Sequence, residues 1–389
     1  MAEKGILFIS NGYGEDTISS RIIQSLRKKS GVPVFALPLV GQGHAYTACG
    51  VETVGPLRLM PSGGMIPGSV KNLITDFSSG LARLTLEQIA AIKAMKRKVQ
   101  MTVAVGDIYP VTLSMLFSAK PVIMVGTAKS DYFYHYNWTE RKVMRMSCAR
   151  VFTRDELTAG SLRKYSIDAQ WVGNAMMDSL TVTGIDFGLD SGYPVVAVLP
   201  GSRKDAYNDI AVILESVEKL SQLMEGKVSF VMAVADSIPV PSLFQDAEKD
   251  GWTLKEGNMA QGVLYILFRD SLSMAISQGM FGDVLDRARM VIGQAGTGNE
   301  QAVGMGKPVV TFESSGKKSL GWYRMRQKGL LGDSISVVDK DGGRIAQEVF
   351  SILSDEDRYG QMRQIGQERM GPPGAADRMA SCILERLGD

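Results

Sequence analysis

Residues 290–312 read MVIGQAGTGNEQAVGMGKPVVTF. A short apolar run, Met290 to Ile292, breaks into a glycine-rich turn, a helical stretch opens at Gly298, and a second apolar run, Pro308 to Phe312, follows. Strand, tight turn, helix and strand make the unit from which parallel sheets are built. Glycines at such a turn let backbone amides approach a ligand closely. The helix start adds unpaired N–H groups and the positive end of its dipole, which suits a phosphate. Gly296, Thr297 and Gly298 supply those amides, and Glu300, one turn on, is placed to reach ribose hydroxyls. Thr297 followed three residues later by Glu300 also spells a capping box, a purely structural use of the same residues. Capping does not account for the density of glycine between Gly293 and Gly306.

The same alternation extends in both directions. Upstream in this half, Pro194–Leu199, Val228–Val234 and Leu272–Ile276 read as strands, and downstream Ile335–Val338 does. In the first half, strands are expected at Gly5–Ser10, Val32–Leu39, Met101–Val105, Pro121–Val125 and Arg150–Phe152, with helices at Asp16–Lys29 and Leu81–Lys98. Near-continuous Val, Ile, Ala and Met runs mark strands covered on both faces. The expected class is therefore α/β, two doubly wound parallel-sheet domains. The glycine-rich, aperiodic stretch Thr183–Tyr193 reads as the linker, giving domains at 1–182 and 183–364, with 365–389 able to pack back on the first. A length of 389 residues suits two such domains.

Two more glycine turns stand at strand ends. Ser10–Asp16 (SNGYGED) follows the first strand and opens a helix, with Gly12 and Gly14 suited to close backbone approach to an anion or a sugar hydroxyl. It lacks the third spaced glycine of a dinucleotide fold and the Gly-Lys-Ser/Thr of a P-loop, which argues against a dehydrogenase or a P-loop ATPase. Leu199–Arg203 (LPGSR) ends the first strand of the second half. Its Gly201 and Ser202 amides and the Arg203 fork can engage a diphosphate.

Composition narrows the class. Apolar residues make up 45% and charged residues 22%, ordinary globular usage that excludes a disordered or fibrous chain. Forty-three basic residues against 41 acidic ones leave a net charge of +2, which argues against electrostatic capture of nucleic acid. Three well-separated cysteines make no metal cluster and fit a reducing, cytoplasmic setting. The start, MAEKGILFIS, lacks the length and cleavage site of a signal peptide, and no apolar run is long enough for a transmembrane helix. Methionine, at 22 residues, is abundant, and in LRLMPSGGMI (57–66) Met60 and Met65 with the nearby Arg58, Lys71 and Arg83 suggest a patch facing an anionic lipid surface.

The stretches SNGYGEDTIS (10–19), LMPSGG (59–64), AVGDIYP (104–110), VGTAKSDY (125–132), VFTRDELTA (151–159), VGNAMMD (172–178), LPGSR (199–203), AGTGNEQAVGMGKPVV (295–310) and RMGPPGA (369–375) together resemble a GT-B glycosyltransferase. The similarity is to the lipid-A-disaccharide synthase superfamily, and within it to the lipid-A-disaccharide synthase-related group. That resemblance implies two Rossmann-like domains facing across a cleft, with acceptor bound by the first and nucleotide-sugar by the second. It implies a sugar transfer from a UDP-sugar to a lipid or lipid-linked acceptor, inverting and independent of metal or other cofactor. The protein is then expected in the cytoplasm, peripheral on the cytoplasmic face of the membrane.

The implied donor residues are Gly201, Ser202, Arg203, Gly296, Thr297, Gly298, Asn299, Glu300 and Gln301. The acceptor side falls to Asn11, Gly12, Gly14, Lys129 and Ser130. Asp107, after the strand Met101–Val105, resembles the family's essential aspartate and is the first candidate for catalytic base. Glu15 is its rival, as is Asp16, although either could instead cap the first helix. His44 and His135, the only histidines, are expected to be structural or on the acceptor side. Two departures from the family pattern stand out: ESSGKKSLGWYRMRQKG (313–329) lacks the expected sugar-facing residues, and Ala175 replaces a common proline. The alternatives are a non-hydrolysing UDP-sugar 2-epimerase, disfavoured by the shortage of histidine, and a non-catalytic nucleotide-sugar-binding protein.

Overall fold

The computed structural model describes residues 4–58, 81–202, 205–313 and 318–388. The chain forms two compact units, one of residues 1–179 and 372–389, the other of residues 180–371.

The first unit is built on a seven-stranded, wholly parallel sheet: β1 (Gly5–Ser10), β2 (Val34–Pro38), β3 (Glu52–Thr53), β4 (Val99–Gly106), β5 (Val122–Gly126), β6 (Cys148–Phe152) and β7 (Ala169–Gln170). Their order is β3-β2-β1-β4-β5-β6-β7. The connecting helices are α1 (Gly14–Lys29), α2 (His44–Ala48), α3 (Leu81–Met95), α4 (Ile108–Phe117), α5 (Trp138–Ser147) and α6 (Glu156–Arg163). Every residue of β1 is buried, and its side chains divide by alternation. Ile6 and Phe8 join Ile18, Ile22 and Ile23 of α1 on one face, while Leu7 and Ile9 meet Ile92 and Met95 of α3 on the other. Burial on both faces explains why the strand reads as an unbroken apolar run.

The second unit holds an eight-stranded sheet. Its strands are β8 (Val195–Leu199), β9 (Ser229–Ala233), β10 (Thr253–Glu256), β11 (Tyr265–Arg269), β12 (Leu272–Ser277), β13 (Met290–Gly293), β14 (Val309–Phe312) and β15 (Ile335–Val338). The order is β10-β11-β12-β9-β8-β13-β14-β15, parallel except that β11 runs antiparallel to both of its neighbours. The helices are α7 (Asp205–Leu223), α8 (Val240–Phe244), α9 (Phe281–Arg287), α10 (Thr297–Gly304), α11 (Lys318–Leu331), α12 (Gly342–Ser354) and α13 (Glu356–Met370). Ile345, Val349 and Ile352 of α12 and Ile213 and Val217 of α7 cover one sheet face, each buried. The last helix, α14 (Ala375–Gly388), belongs to the first unit, where Ala376, Met379, Ala380 and Ile383 complete the core beside α1.

In both units the strand order reverses beside the first strand, between β1 and β4 and between β8 and β13. At such a point the loops at the C-terminal strand ends part to opposite faces and leave a crevice for a ligand. The crossings between units fall at 179/180 and 371/372. The stretch expected as a linker is tied to the second unit at its start. The backbone amides of Thr183 and Gly184 donate to Asp283 Oδ1 at 2.6 and 2.8 Å, which with burial opposing holds that carboxyl below the usual aspartate range. The return to the first unit is fixed by Asp178 of the VGNAMMD stretch, whose two oxygens accept from Gly374 N and Ala376 N at 2.6 Å and so cap α14. Much of the methionine is core filling, as at Met101, Met124, Met144, Met232, Met274 and Met290.

Candidate functional site

In the first unit the loop after β1 and the loop after β4 lie against each other. Asn11 N donates to Val105 O at 3.1 Å, and a Cβ on Gly106 would sit 2.7 Å from the Asn11 side chain. Gly12 has φ +137°, and a Cβ there would meet Val40 O at 2.4 Å, so this turn admits only glycine. Gly14 opens α1, and a Cβ there would meet nothing within 4 Å, which leaves room at the helix start.

Glu15 and Asp107 stand at this edge. Thr127, just past β5, donates from Oγ1 to Glu15 Oε1 at 2.9 Å and from N to Gly106 O at 3.1 Å, and its own carbonyl accepts from Arg154 Nη1 at 2.9 Å. Burial pushes the Glu15 carboxyl above the usual range, with Asp107 adding repulsion. The backbone amide of Glu15, Thr127 and the Arg154 charge pull the other way. A carboxylate raised in this way is a stronger base than a free one. Asp107 is half-buried and caps α4, its Oδ1 accepting from Tyr109 N at 2.8 Å.

Asp16 does not take the capping role weighed for it. It does not cap α1, whose N-cap is Tyr13 with no side-chain cap, and it is buried below the loop. Ser10 Oγ donates to Asp16 Oδ1 at 2.6 Å and lies 2.6 Å from Tyr46 Oη. Glu15 does not cap the helix either. Lys129 forms a nearly buried ion pair with Glu140, 2.7 Å apart, and lies over the Tyr134 ring. Ser130 is buried in a turn, its carbonyl accepting from Tyr134 N and its hydroxyl from Tyr132 N. His44 is exposed on α2, and His135 pairs with Asp131 at 3.1 Å.

In the second unit the loops after β8 and β13 meet in the same way. Gln294 N donates to Leu199 O at 2.7 Å, and a Cβ on Gly201, whose φ is +96°, would lie 3.3 Å from Gln294 O. Ser202 is exposed beside them. Arg203 lies outside the described residues, as do Met60, Met65, Lys71 and the LMPSGG stretch. Arg58 and Arg83 both contact Glu87, which offsets part of their charge.

The capping box expected at Thr297 and Glu300 does not form. The N-cap of α10 is Gly296, and no side chain caps the helix. Thr297 is exposed, while Asn299, Glu300 and Gln301 are buried. Asn299 folds back so that Nδ2 donates to Gly293 O at 3.0 Å, and Gly293 has no room for a Cβ, which would fall 2.1 Å from Asn299 Oδ1. Two residues missed by sequence reasoning, Arg324 and Gln327, reach this loop from α11. In sequence their stretch, 313–329, is distinguished only by what it lacks. Among the described residues no cluster of three or more His, Cys, Asp or Glu side chains is arranged to hold a metal ion.

Two sheets of this topology with their loops at the strand-order reversal define a GT-B protein, two Rossmann-like domains. The chain is related in sequence to a lipid-A-disaccharide synthase from Geobacter sulfurreducens, 26% identical over 248 residues that cover 57% of this chain and 58% of that protein. The match thus spans a little over half the length of the curated relative. No protein-family model matches the chain.

Solved structures agree in fold. One is UDP-GlcNAc 2-epimerase from Neisseria meningitidis bound to UDP-GlcNAc, with a TM-score of 0.59, 15% identity, and 98% of this chain and 100% of that one covered. MurG from Acinetobacter baumannii gives a TM-score of 0.59 at 11% identity, with 98% and 99% covered. The spinosyn rhamnosyltransferase SpnG complexed with thymidine diphosphate gives 0.60 at 13%, with 99% and 100% covered.

Proposed function

We propose that the protein is a glycosyltransferase that moves a sugar from a nucleotide-sugar, a UDP-sugar, to a lipid or lipid-linked acceptor with inversion and without a metal. The second unit takes the donor: the Gly296–Gly298 amides receive the diphosphate, Glu300 the ribose, and Gly201, Ser202, Arg203, Asn299 and Gln301 complete the site. The first unit takes the acceptor at Asn11, Gly12 and Gly14, with Lys129 and Ser130 shaping the adjacent turn. A carboxylate there, Asp107 or Glu15, removes the acceptor hydroxyl's proton as the new bond forms, and the diphosphate leaves stabilised by oriented amides. The observation that carries this reading is the uncapped start of α10, directly after a central parallel strand. The relative and the GT-B neighbours favour it.

A peripheral position on the cytoplasmic face of the membrane is part of the proposal. No helix among the described residues is long and apolar enough to cross a membrane. Binding to anionic liposomes at low salt supports this placement, and indifference to them refutes it.

The function is tested by thermal shift against UDP-, GDP- and dTDP-sugars, then by nucleotide release with and without lipid extract. Lipid-dependent release of UDP is expected, and Glu300→Ala should weaken nucleotide binding. The epimerase neighbours keep a second reading in view, which the same samples separate. An epimerase inverts a centre in the sugar without any acceptor, so NMR of the incubated UDP-sugar would show a new sugar in place of free UDP.

A further inference from the structure

The turn that precedes α10 is held from behind by side chains. Four successive carbonyls, Gly293 to Gly296, each accept from a side chain: Gly293 O from Asn299, Gln294 O from Arg324 Nη2 at 3.1 Å, and Ala295 O and Gly296 O from Gln327 Nε2 at 3.1 and 3.0 Å. Arg324 also donates to Gln294 Oε1, and from Nη1 to Gln327 Oε1 at 2.8 Å. Both residues are buried, at 4% and 2% exposure, and they sit one turn apart on the same face of α11.

A trans peptide is planar, with its C=O and N–H pointing in opposite directions. Drawing the carbonyls of 294, 295 and 296 toward α11 therefore turns the N–H groups of 295, 296 and 297 away from it. None of these three N–H groups has a protein acceptor among the described residues. Successive amides aimed outward at a helix start form an anion-binding concavity.

We propose that Arg324 and Gln327 are positioning residues for a diphosphate: they fix the carbonyls of Gln294, Ala295 and Gly296 and thereby aim the amides of Ala295, Gly296 and Thr297 at its oxygens. The proposal rests on the nucleotide-sugar reading of this loop. Arginine suits the position because its planar fork bridges two glutamine side chains and a carbonyl at once, which a lysine ammonium cannot do in the same geometry. Gln327 must donate twice to carbonyls, so a carboxylate of the same shape fails there.

The test uses Arg324→Lys, which keeps the charge and loses the fork, and Gln327→Glu, which keeps the shape and loses the donor. Calorimetry gives the affinity of each folded protein for UDP and for uridine, and amide NMR of the ligand-free proteins follows Ala295, Gly296 and Thr297. Expected is a roughly ten- to hundredfold loss in UDP affinity, the scale of one or two lost hydrogen bonds to a charged group, with uridine affinity unchanged. The three amide resonances should shift even without ligand. A merely structural role would lower the melting temperature and leave the ratio of uridine to UDP affinity as it was, and that result overturns the proposal. If the wild type binds inorganic pyrophosphate but no nucleotide, the nucleotide-sugar reading fails, and the variants are then compared with pyrophosphate. Binding of neither probe refutes both.

Discussion

Asp16→Asn should remove a pH dependence from the stability of the first unit. Asp16 is 3% exposed, its Oδ1 bonded to the Ser10 hydroxyl. Burial, and then the charge of neighbouring Glu15, push its carboxyl up to about 6, against the Ser10 bond and a backbone bond. An unfolded aspartate titrates at about 3.9. Between these values the folded chain holds a proton that the unfolded chain releases, so folding is favoured by acid. The stabilisation is fully present below about pH 3.9 and is lost as pH rises through about 6. The interval of about 2 pH units corresponds to about 3 kcal/mol, with no discount for solvent screening because the group is buried. Asparagine keeps an acceptor for Ser10 and has no proton to lose. The stability difference between Asp16→Asn and wild type should therefore move in favour of the variant by about 2.4 kcal/mol between pH 4 and 7.5. Since the chain has two units, hydrogen exchange at the β1 and α1 amides is the proper readout. A difference that stays constant across that range would refute the reasoning.

Thr127→Val should push the Glu15 carboxyl further up, because the lost hydroxyl favours the charged form. With Glu15 as the base, the acid limb of turnover moves to higher pH and Thr127→Ser restores it; with Asp107 as the base, the limb stays in place. In that second case Asp107→Asn should abolish turnover with nucleotide affinity and stability unchanged, since asparagine caps α4 equally well. Asp107→Ala should also cost about 1 kcal/mol in a denaturant titration. Gly293→Ala drives a methyl into the buried Asn299 amide and should destabilise the second unit by about 1–3 kcal/mol in thermal unfolding while weakening UDP binding. Inorganic pyrophosphate should shift the amide resonances of residues 295–298 and leave those of residues 12–16 in place.

The central strands were legible because they are buried on both faces and so appear as unbroken apolar runs, as at Val122–Gly126 and Val195–Leu199. The β10–β11 hairpin was not, since it lies at a sheet edge where TLKE and YILFR mix exposed and buried residues and lose that signature. The glycine turns were found because close approach of two loops leaves no place for a side chain, as at Gly12 and Gly201. Polar residues were harder to read. The spacing of Thr297 and Glu300 satisfies a capping box, yet the helix starts one residue early and leaves the threonine exposed. Lys129 looked available until Glu140, eleven residues away, supplied its partner. Arg324 and Gln327 act on a loop some thirty residues upstream, and no local pattern announces a contact of that range.

The two loop systems differ in charge in a way that favours the proposed division of roles. Both form where strand order reverses, and both bring two loops together over a glycine. The edge in the first unit carries Glu15 and Asp107, with Asp16 beneath, and Arg154 as the cation acting on Glu15. A diphosphate there would meet like charge at short range, and the raised Glu15 carboxyl already records the cost of burying an acid in this place, with a smaller contribution from Asp107. The turn in the second unit carries no acid between Gly293 and Asn299, and its carbonyls are drawn back by Arg324 and Gln327. What remains facing outward is N–H. The proposed proton acceptor on one unit and the proposed anion-binding amides on the other would supply the two functions that a metal-free displacement of a diphosphate requires, one for the incoming hydroxyl and one for the leaving group.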